Sequence, residues 1–249
     1  NPDGARVGPW RTMVEAVDVR TVALGGDSHV RYDREGFFQI GPRRVISLSR
    51  LASEREGVLE FVQDVKSAIP HIAFTVAHSE ASPAQIERLI PYGLRVGTHH
   101  TNATGDLPRY PECRGVCVDE TVNMRDDIYA ELIVDSRGIH VDPYMLRLVL
   151  KIKGKDKVLL ISDACVFDGP IPPGYDGVED INFDFEGEIA GSKLTLDVAC
   201  RNMMVHTGGS IVDVFRYASL NPARALGLCD RGEILPGNVA DIALVDGWM

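Results

Sequence analysis

The chain has 249 residues, is 45% hydrophobic and 25% charged, and carries a formal net charge of −10. That length suits one α/β barrel-sized domain, or a barrel with a small appendage. The acidic balance argues against a nucleic-acid partner or an anionic membrane surface, while a small anionic substrate needs only local Arg or His. No apolar run approaches the roughly 20 residues of a membrane helix and no signal peptide is read, so a cytoplasmic protein is expected.

Asn1-Pro2-Asp3-Gly4 lacks an initiator Met, Asp246 to Met249 is equally abrupt, and the chain reads as part of a longer protein. Residues 1–43 read as irregular, with a strand at Val19–Leu24. Arg44–Leu48 is a clearer strand. Gly57–Ile69 places Val58, Leu59, Phe61, Val62, Val65 and Ile69 at helical spacing, and Pro70 stops the helix. A short strand over Ile72–Val76 follows. Ser82-Pro83-Ala84-Gln85 predicts a helix start, with Ser as cap, Pro in the first turn and Gln closing a capping box. Pro91-Tyr92-Gly93 ends that helix, and Leu94–Gly97 is the next strand.

Gly105–Asp127 lacks useful periodicity and reads as one long loop. Ile128–Val134 is a strand, Asp142-Pro143 starts a helix that Gly154 ends, and Lys157–Ser162 is a buried-type strand. Gly169–Glu186 reads as an acidic excursion over a barrel mouth, and Ile189–Ser192 as a turn. A helix around Leu196–Met204, a helix Ile211–Ala218 capped by Ser210, a short helix Asn221–Gly227 and a strand Ala240–Val245 complete the chain. The alternation of strand and helix is that of an α/β barrel or a doubly wound sheet. Five scattered cysteines (Cys113, Cys117, Cys165, Cys200, Cys229) read as reduced thiols, because no second pair or nearby histidine completes a zinc site.

His78, His99, His140 and Asp163 fall at or just past the ends of successive strands. A right-handed crossover sets neighbouring parallel strand ends side by side, so His78 and His99 are within reach of one metal ion. Two histidines with a nearby carboxylate make a catalytic zinc or iron site with an open water position. Such an ion activates water and polarises a carbonyl, and an Asp beside it can shuttle the proton to a leaving amine. That describes hydrolysis of an amide. Plainer readings exist: Asp163 as a turn cap, and His140 as a satisfied loop histidine. His29, His71 and His206 are read as structural, and only one of His99 and His100 is expected to face the metal.

Several segments resemble, in order, the N-acetylglucosamine-6-phosphate deacetylase family of the amidohydrolases. Ala77-His78-Ser79-Glu80-Ala81-Ser82 is similar to the family's Gly-His-Ser-Asn-Ala-Thr, and Thr98-His99-His100-Thr101-Asn102-Ala103-Thr104 to its Thr-His-Leu-Phe-Asn-Ala-Met. Val134-Asp135 through His140, Ile161-Ser162-Asp163-Ala164, Ala190-Gly191-Ser192, Asn221–Gly227 and Gly232–Gly237 follow, so the resemblance covers roughly Arg44 to Val245.

The resemblance implies a (β/α)8 TIM-type metal-dependent hydrolase barrel over residues 1–231, lacking its first strand or strands. Residues 232–249 would then be the start of a small β domain. It makes His78 and His99 ligands of a divalent metal, zinc first and iron as the alternative, and Asp163 the catalytic acid/base. His140 would contact the sugar; Asn102 and the Ala103 amide would hold its phosphate with Arg109, Arg114 being the fallback. The implied substrate is a phosphorylated amino sugar and the implied assembly a homodimer. The implied reaction converts N-acetylglucosamine 6-phosphate to glucosamine 6-phosphate and acetate. The alternatives are a related hydrolase of another N-acyl or cyclic amide, or a non-catalytic relative. The family's third metal ligand, a Glu in a His-x-Glu-Gly-Pro segment, is expected just upstream of Asn1.

Overall fold

The computed structural model describes residues 57–103, 115–166 and 169–245, together with the backbone of four strands at 6–7, 10–11, 28–32 and 38–44. The chain divides into two units, 1–48 and 49–249. In the first, β1 (Arg6–Val7) pairs antiparallel with β2 (Trp10–Arg11), and β3 (Ser28–Tyr32) with β4 (Phe38–Arg44). The sequence reading of 1–43 as irregular is corrected here. Phe38–Arg44 contains Gly41 and Pro42, which weaken a strand pattern, yet each strand finds a ladder partner that no local window contains. The expected strands at Val19–Leu24 and, beyond Arg44, at 45–48 lie outside the described residues.

The second unit is built on a four-stranded parallel sheet in the order β5-β6-β7-β8, consecutive in sequence. Helix α1 (Gly57–Ala68) precedes β5 (Phe74–Val76). Ser82 then opens α2 (Pro83–Glu87) with the expected capping box: its side chain accepts from the Gln85 amide, and the Gln85 side chain accepts from the Ser82 amide. A 3₁₀ turn at Ile90–Tyr92 ends on left-handed Gly93 and delivers β6 (Leu94–Gly97).

The predicted long loop is interrupted by α3 (Val118–Met124), whose entry amide at Cys117 is capped by the Glu120 side chain. Two turns carry too few apolar repeats to stand out as periodicity, and burial of Val118 and Val122 against the sheet supplies the rest. Next come β7 (Tyr129–Ile133), α4 (Pro143–Lys153, capped by Asp142) and β8 (Val158–Ile161). Gly97 is required by packing, since a Cβ there would lie 2.5 Å from Val122 Cγ2.

β7 and β8 are buried on both faces, which explains their near-continuous apolar runs. Ala130, Leu132, Val158 and Leu160 face the helices together with Ile86, Leu146, Val149 and Met203. Tyr129 and Leu159 face the other way, toward Val96 and Ala225.

Beyond β8 a second correction applies. Ile181–Phe183 is a strand, β9, paired antiparallel with β10 (Ile189–Ser192), where the sequence suggested an excursion and a turn. The chain ends through α5 (Leu196–Thr207), α6 (Ile211–Phe215), a π turn at Arg216–Leu220 and α7 (Asn221–Ala225). Ala240–Val245, expected as a strand, forms no ladder with any described residue. A strand exists only through a partner's hydrogen bonds. No helix among the described residues is long and apolar enough to cross a membrane.

Candidate metal and acid/base site

Because the four central strands are parallel, their C-terminal ends share one rim. His78, His99, Asp135 and Asp163 each stand two residues beyond a strand end. Backbone bonds hold the first two exits in register: the Thr98 amide donates to the Val76 carbonyl and the His100 amide to the Glu131 carbonyl.

Among the described residues five non-glycine positions adopt left-handed backbone: His78 (φ 44°), His99 (φ 34°), Thr101 (φ 66°), Ala103 (φ 47°) and Asp163 (φ 49°). Each costs roughly 1 kcal/mol or more, and such residues cluster where surrounding structure holds a working geometry. All five lie in the exit segments after β5, β6 and β8. The strain is local to the candidate site.

The two imidazoles meet tip to tip, with His78 Nε2 and His99 Nε2 2.8 Å apart. His99 Nδ1 lies 2.9 Å from the Asn102 carbonyl, which only accepts, so Nδ1 carries the hydrogen and the neutral ring turns a lone pair toward His78. The His78 ring is likewise tied to the backbone of Ala103. Lone pairs this close repel unless a cation or a shared proton lies between them. Orienting an imidazole through a carbonyl on its rear nitrogen is how proteins present histidine to a metal. The pair therefore fits two positions of a divalent ion's shell. Among the described residues no group of three or more His, Cys, Asp or Glu converges on one point. Burial, then the proximity of His99, push the His78 pKa down, opposed by the Ala103 backbone and the Asp163 carboxylate.

Asp163 is exposed on the rim and close enough to His78 and Glu131 to shift both electrostatically. Its carbonyl accepts from the Ser192 amide at 2.8 Å, and a Cβ on left-handed Gly191 would sit 2.6 Å from that oxygen. The Ala-Gly-Ser segment thus closes against the Asp163 turn.

His140 is placed differently from an open sugar contact. Its side chain is 1% exposed, with Nδ1 3.1 Å from Asp135 Oδ2 and Nε2 3.1 Å from the Gly191 carbonyl. Asp135 also accepts from the amides of Arg137, Ile139 and His140. Burial alone would raise the Asp135 pKa, but the His140 side chain and the amide donors overcome it and bring it down to about 2. Asn102 donates to the His140 carbonyl at 3.1 Å, joining this buried pair to the His99 turn. His100 faces away from the His78–His99 pair, between Asp119 and Asn123 at 3.0 Å each. Arg109 and Arg114 lie outside the described residues.

The sequence reading missed Glu131. It sits in β7 on the same face as Tyr129 and Ile133, and its pKa is raised by burial, against the His99 amide, the His99 charge and the Thr98 side chain. The available signal was a carboxylate inside an otherwise apolar strand, Tyr129-Ala130-Glu131-Leu132-Ile133. His206 is structural as expected, its Nε2 2.9 Å from the Asp135 carbonyl. The four described cysteines are all free.

Residues 138–248 match the amidohydrolase family. An N-acetylglucosamine-6-phosphate deacetylase of Lysinibacillus sphaericus is 30% identical over 203 residues, 79% of this chain and 50% of the relative. A putative N-acetylgalactosamine-6-phosphate deacetylase of Escherichia coli (strain K12) is 34% identical over 130 residues, 49% of this chain and 75% of the relative. The crystal structure of N-acetylglucosamine-6-phosphate deacetylase from Thermotoga maritima superposes with a TM-score of 0.58 at 26% identity, over 74% of this chain and 50% of that one. The chain spans about half the length of most of the curated relatives it matches. Relatives over most of its length and a matching solved structure lead to one assignment: the chain belongs to the N-acetylglucosamine-6-phosphate deacetylase family of the amidohydrolases.

Proposed function

We propose that this chain belongs to a metal-dependent deacetylase that hydrolyses the acetamide of N-acetylglucosamine 6-phosphate to glucosamine 6-phosphate and acetate. The single observation that carries the reading is the His78–His99 pair, two inward-facing imidazole nitrogens 2.8 Å apart on the Asp163 rim. The names of the relatives supply the substrate class, and a Mycobacterium smegmatis homologue at 30% identity has been crystallised in complex with N-acetyl-D-glucosamine-6-phosphate. A divalent ion, zinc in our reading, would be held by His78 and His99 and supply electrophilic polarisation and a lowered water pKa. The parallel sheet is read as part of a closed (β/α)8 barrel, residues 1–231, with 232–249 opening a small β domain.

The remaining chemistry belongs to the side chains. Asp163 removes a proton from the attacking water, the new C–O bond forms at the acetyl carbon, and the same carboxyl returns the proton to nitrogen as the C–N bond breaks. Proton count balances, with acetate and the free amine as products. Asn102, the Ala103 amide and Arg109 are assigned to the phosphate. His140, fixed by Asp135, is assigned to the sugar side of the rim, one backbone bond from Asn102. A homodimer and a cytoplasmic location complete the proposal, the latter supported by the free cysteines among the described residues.

The test uses the full-length protein: metal analysis together with acetate release. Asp163→Asn should keep the metal and lower kcat by roughly 10²–10⁴-fold. An Asp163→Asn enzyme with most of its activity would sink the assignment. Two relatives favour a second reading, the C4 epimer N-acetylgalactosamine 6-phosphate, through deacetylases 30% and 34% identical to this chain. Comparing kcat/KM for the two epimers and for non-phosphorylated N-acyl substrates separates these readings.

A further inference from the structure

We propose that the N-terminal rim of the parallel sheet, opposite the catalytic rim, carries a second binding site for a small phosphate-bearing anion. A cavity of about 280 Å³ opens there between α1, the strand starts and the end of α7. Its walls carry four permanent cations, Lys66, Arg95, Lys157 and Arg224, and none of its lining side chains is acidic. In a chain of net charge −10 this is a local reversal of sign.

The cations are pre-placed to different degrees. The Lys66 ammonium is anchored on the neutral Ile72 carbonyl at 2.8 Å, which leaves its charge uncompensated. Lys157 stands 4.3 Å above the Tyr129 ring, which orients it and likewise leaves its charge in place. Arg224 is shared with Glu233 at 3.1 Å and Asp156 at 3.8 Å, so it contributes least. Arg95 points out of β6, is exposed, and has no hydrogen bond or ion pair with any described residue.

A guanidinium without a partner among the described residues, lining one cavity with two ammonium groups, matches a phosphate dianion, which takes a bidentate fork and separate point charges together. The volume lies at the small end of ligand pockets, enough for a phosphate with a sugar-sized body. β6 separates the two rims by roughly 13 Å at about 3.3 Å per residue, so a ligand here does not touch His78 or His99. The site stands independently of the deacetylase reading.

Calorimetric titration of the full-length protein with inorganic phosphate, and separately with glucose 6-phosphate, tests it. The wild type should bind one more equivalent than Arg95→Gln/Lys157→Gln, in which affinity for that equivalent falls at least tenfold. Arg95→Lys, which keeps the charge and loses the fork, should fall between the wild type and the double variant, and Arg201→Gln, an exposed charge elsewhere, should change nothing. Both cavity side chains project from the strand starts, so thermal melts should match the wild type and report an intact fold. Identical titrations of the wild type and the double variant would overturn the proposal. So would an equal loss in Arg201→Gln, which would mean charge screening alone. Phosphate and glucose 6-phosphate binding with equal affinity would place recognition in the phosphate; a preference for the ester would place the sugar body in the cavity too.

Discussion

At the scale of single residues, the site is a set of side chains fixed from behind. His99 is aimed by the Asn102 carbonyl, and His140 is clamped between Asp135 and the Gly191 carbonyl. Asp135 has a measurable consequence. Its pKa falls from 3.8 to about 2 on folding, so its ionised form stabilises the native state at pH above about 4. That stability is lost as pH drops through the interval from 3.8 toward 2, because the unfolded state then binds the proton first. The shift corresponds to about 2 kcal/mol, an order-of-magnitude figure. Urea unfolding at pH 5 and at pH 2.5 should show this loss in the wild type, and Asp135→Asn should remove most of the difference while lowering stability at both values. An unchanged pH dependence in Asp135→Asn would contradict the assignment.

At the scale of elements, close approach decides whether α3 can sit on β6. Gly97 leaves no room for a methyl beside Val122. Gly97→Ala should destabilise by about 1–3 kcal/mol, the usual cost of overpacking. Adding Val122→Ala should recover part of that, since it removes the two atoms in the way. Denaturant midpoints of the two single variants and the double variant measure the coupling. Independent, additive losses would mean that Gly97 matters for another reason. Much of this level was legible in advance. The Ser82 capping box, Asp142-Pro143 and the Pro70 stop are local signals, and the structure contains the elements they mark. Helix α3 and strands β9 and β10 were not, because their stability comes from burial and pairing with residues far along the chain.

At the scale of the whole molecule, three of the predicted site residues come together and one does not present itself openly. His78, His99 and Asp163 share a rim, while His140 is buried behind it. If the His78–His99 pair holds a divalent ion, binding must stabilise the fold that presents it. At a free metal concentration of 100 times Kd the gain is about 2.7 kcal/mol. Chelation of the full-length protein should then lower Tm by roughly 5–10 °C, with recovery on adding back zinc. A His78→Asn/His99→Asn variant should already melt where the chelated wild type does and ignore added metal. A chelator-insensitive Tm in wild-type protein of proven metal content would weaken the link between this pair and the ion.

The sequence by itself determined the alternation of the four parallel strands with α1, α2 and α4, the rim positions of His78, His99 and Asp163, and the family. These are carried by caps, periodicity and short motifs, each complete within a dozen residues. Only the tertiary structure decided which way the imidazoles point, that Glu131 lies half-buried beside the His99 turn, that His140 bonds to Asp135 and the Gly191 carbonyl, and that four cations surround one cavity on the far rim. The reason is physical: orientation, burial and electrostatic company are set by groups distant in sequence, and no window along the chain contains them.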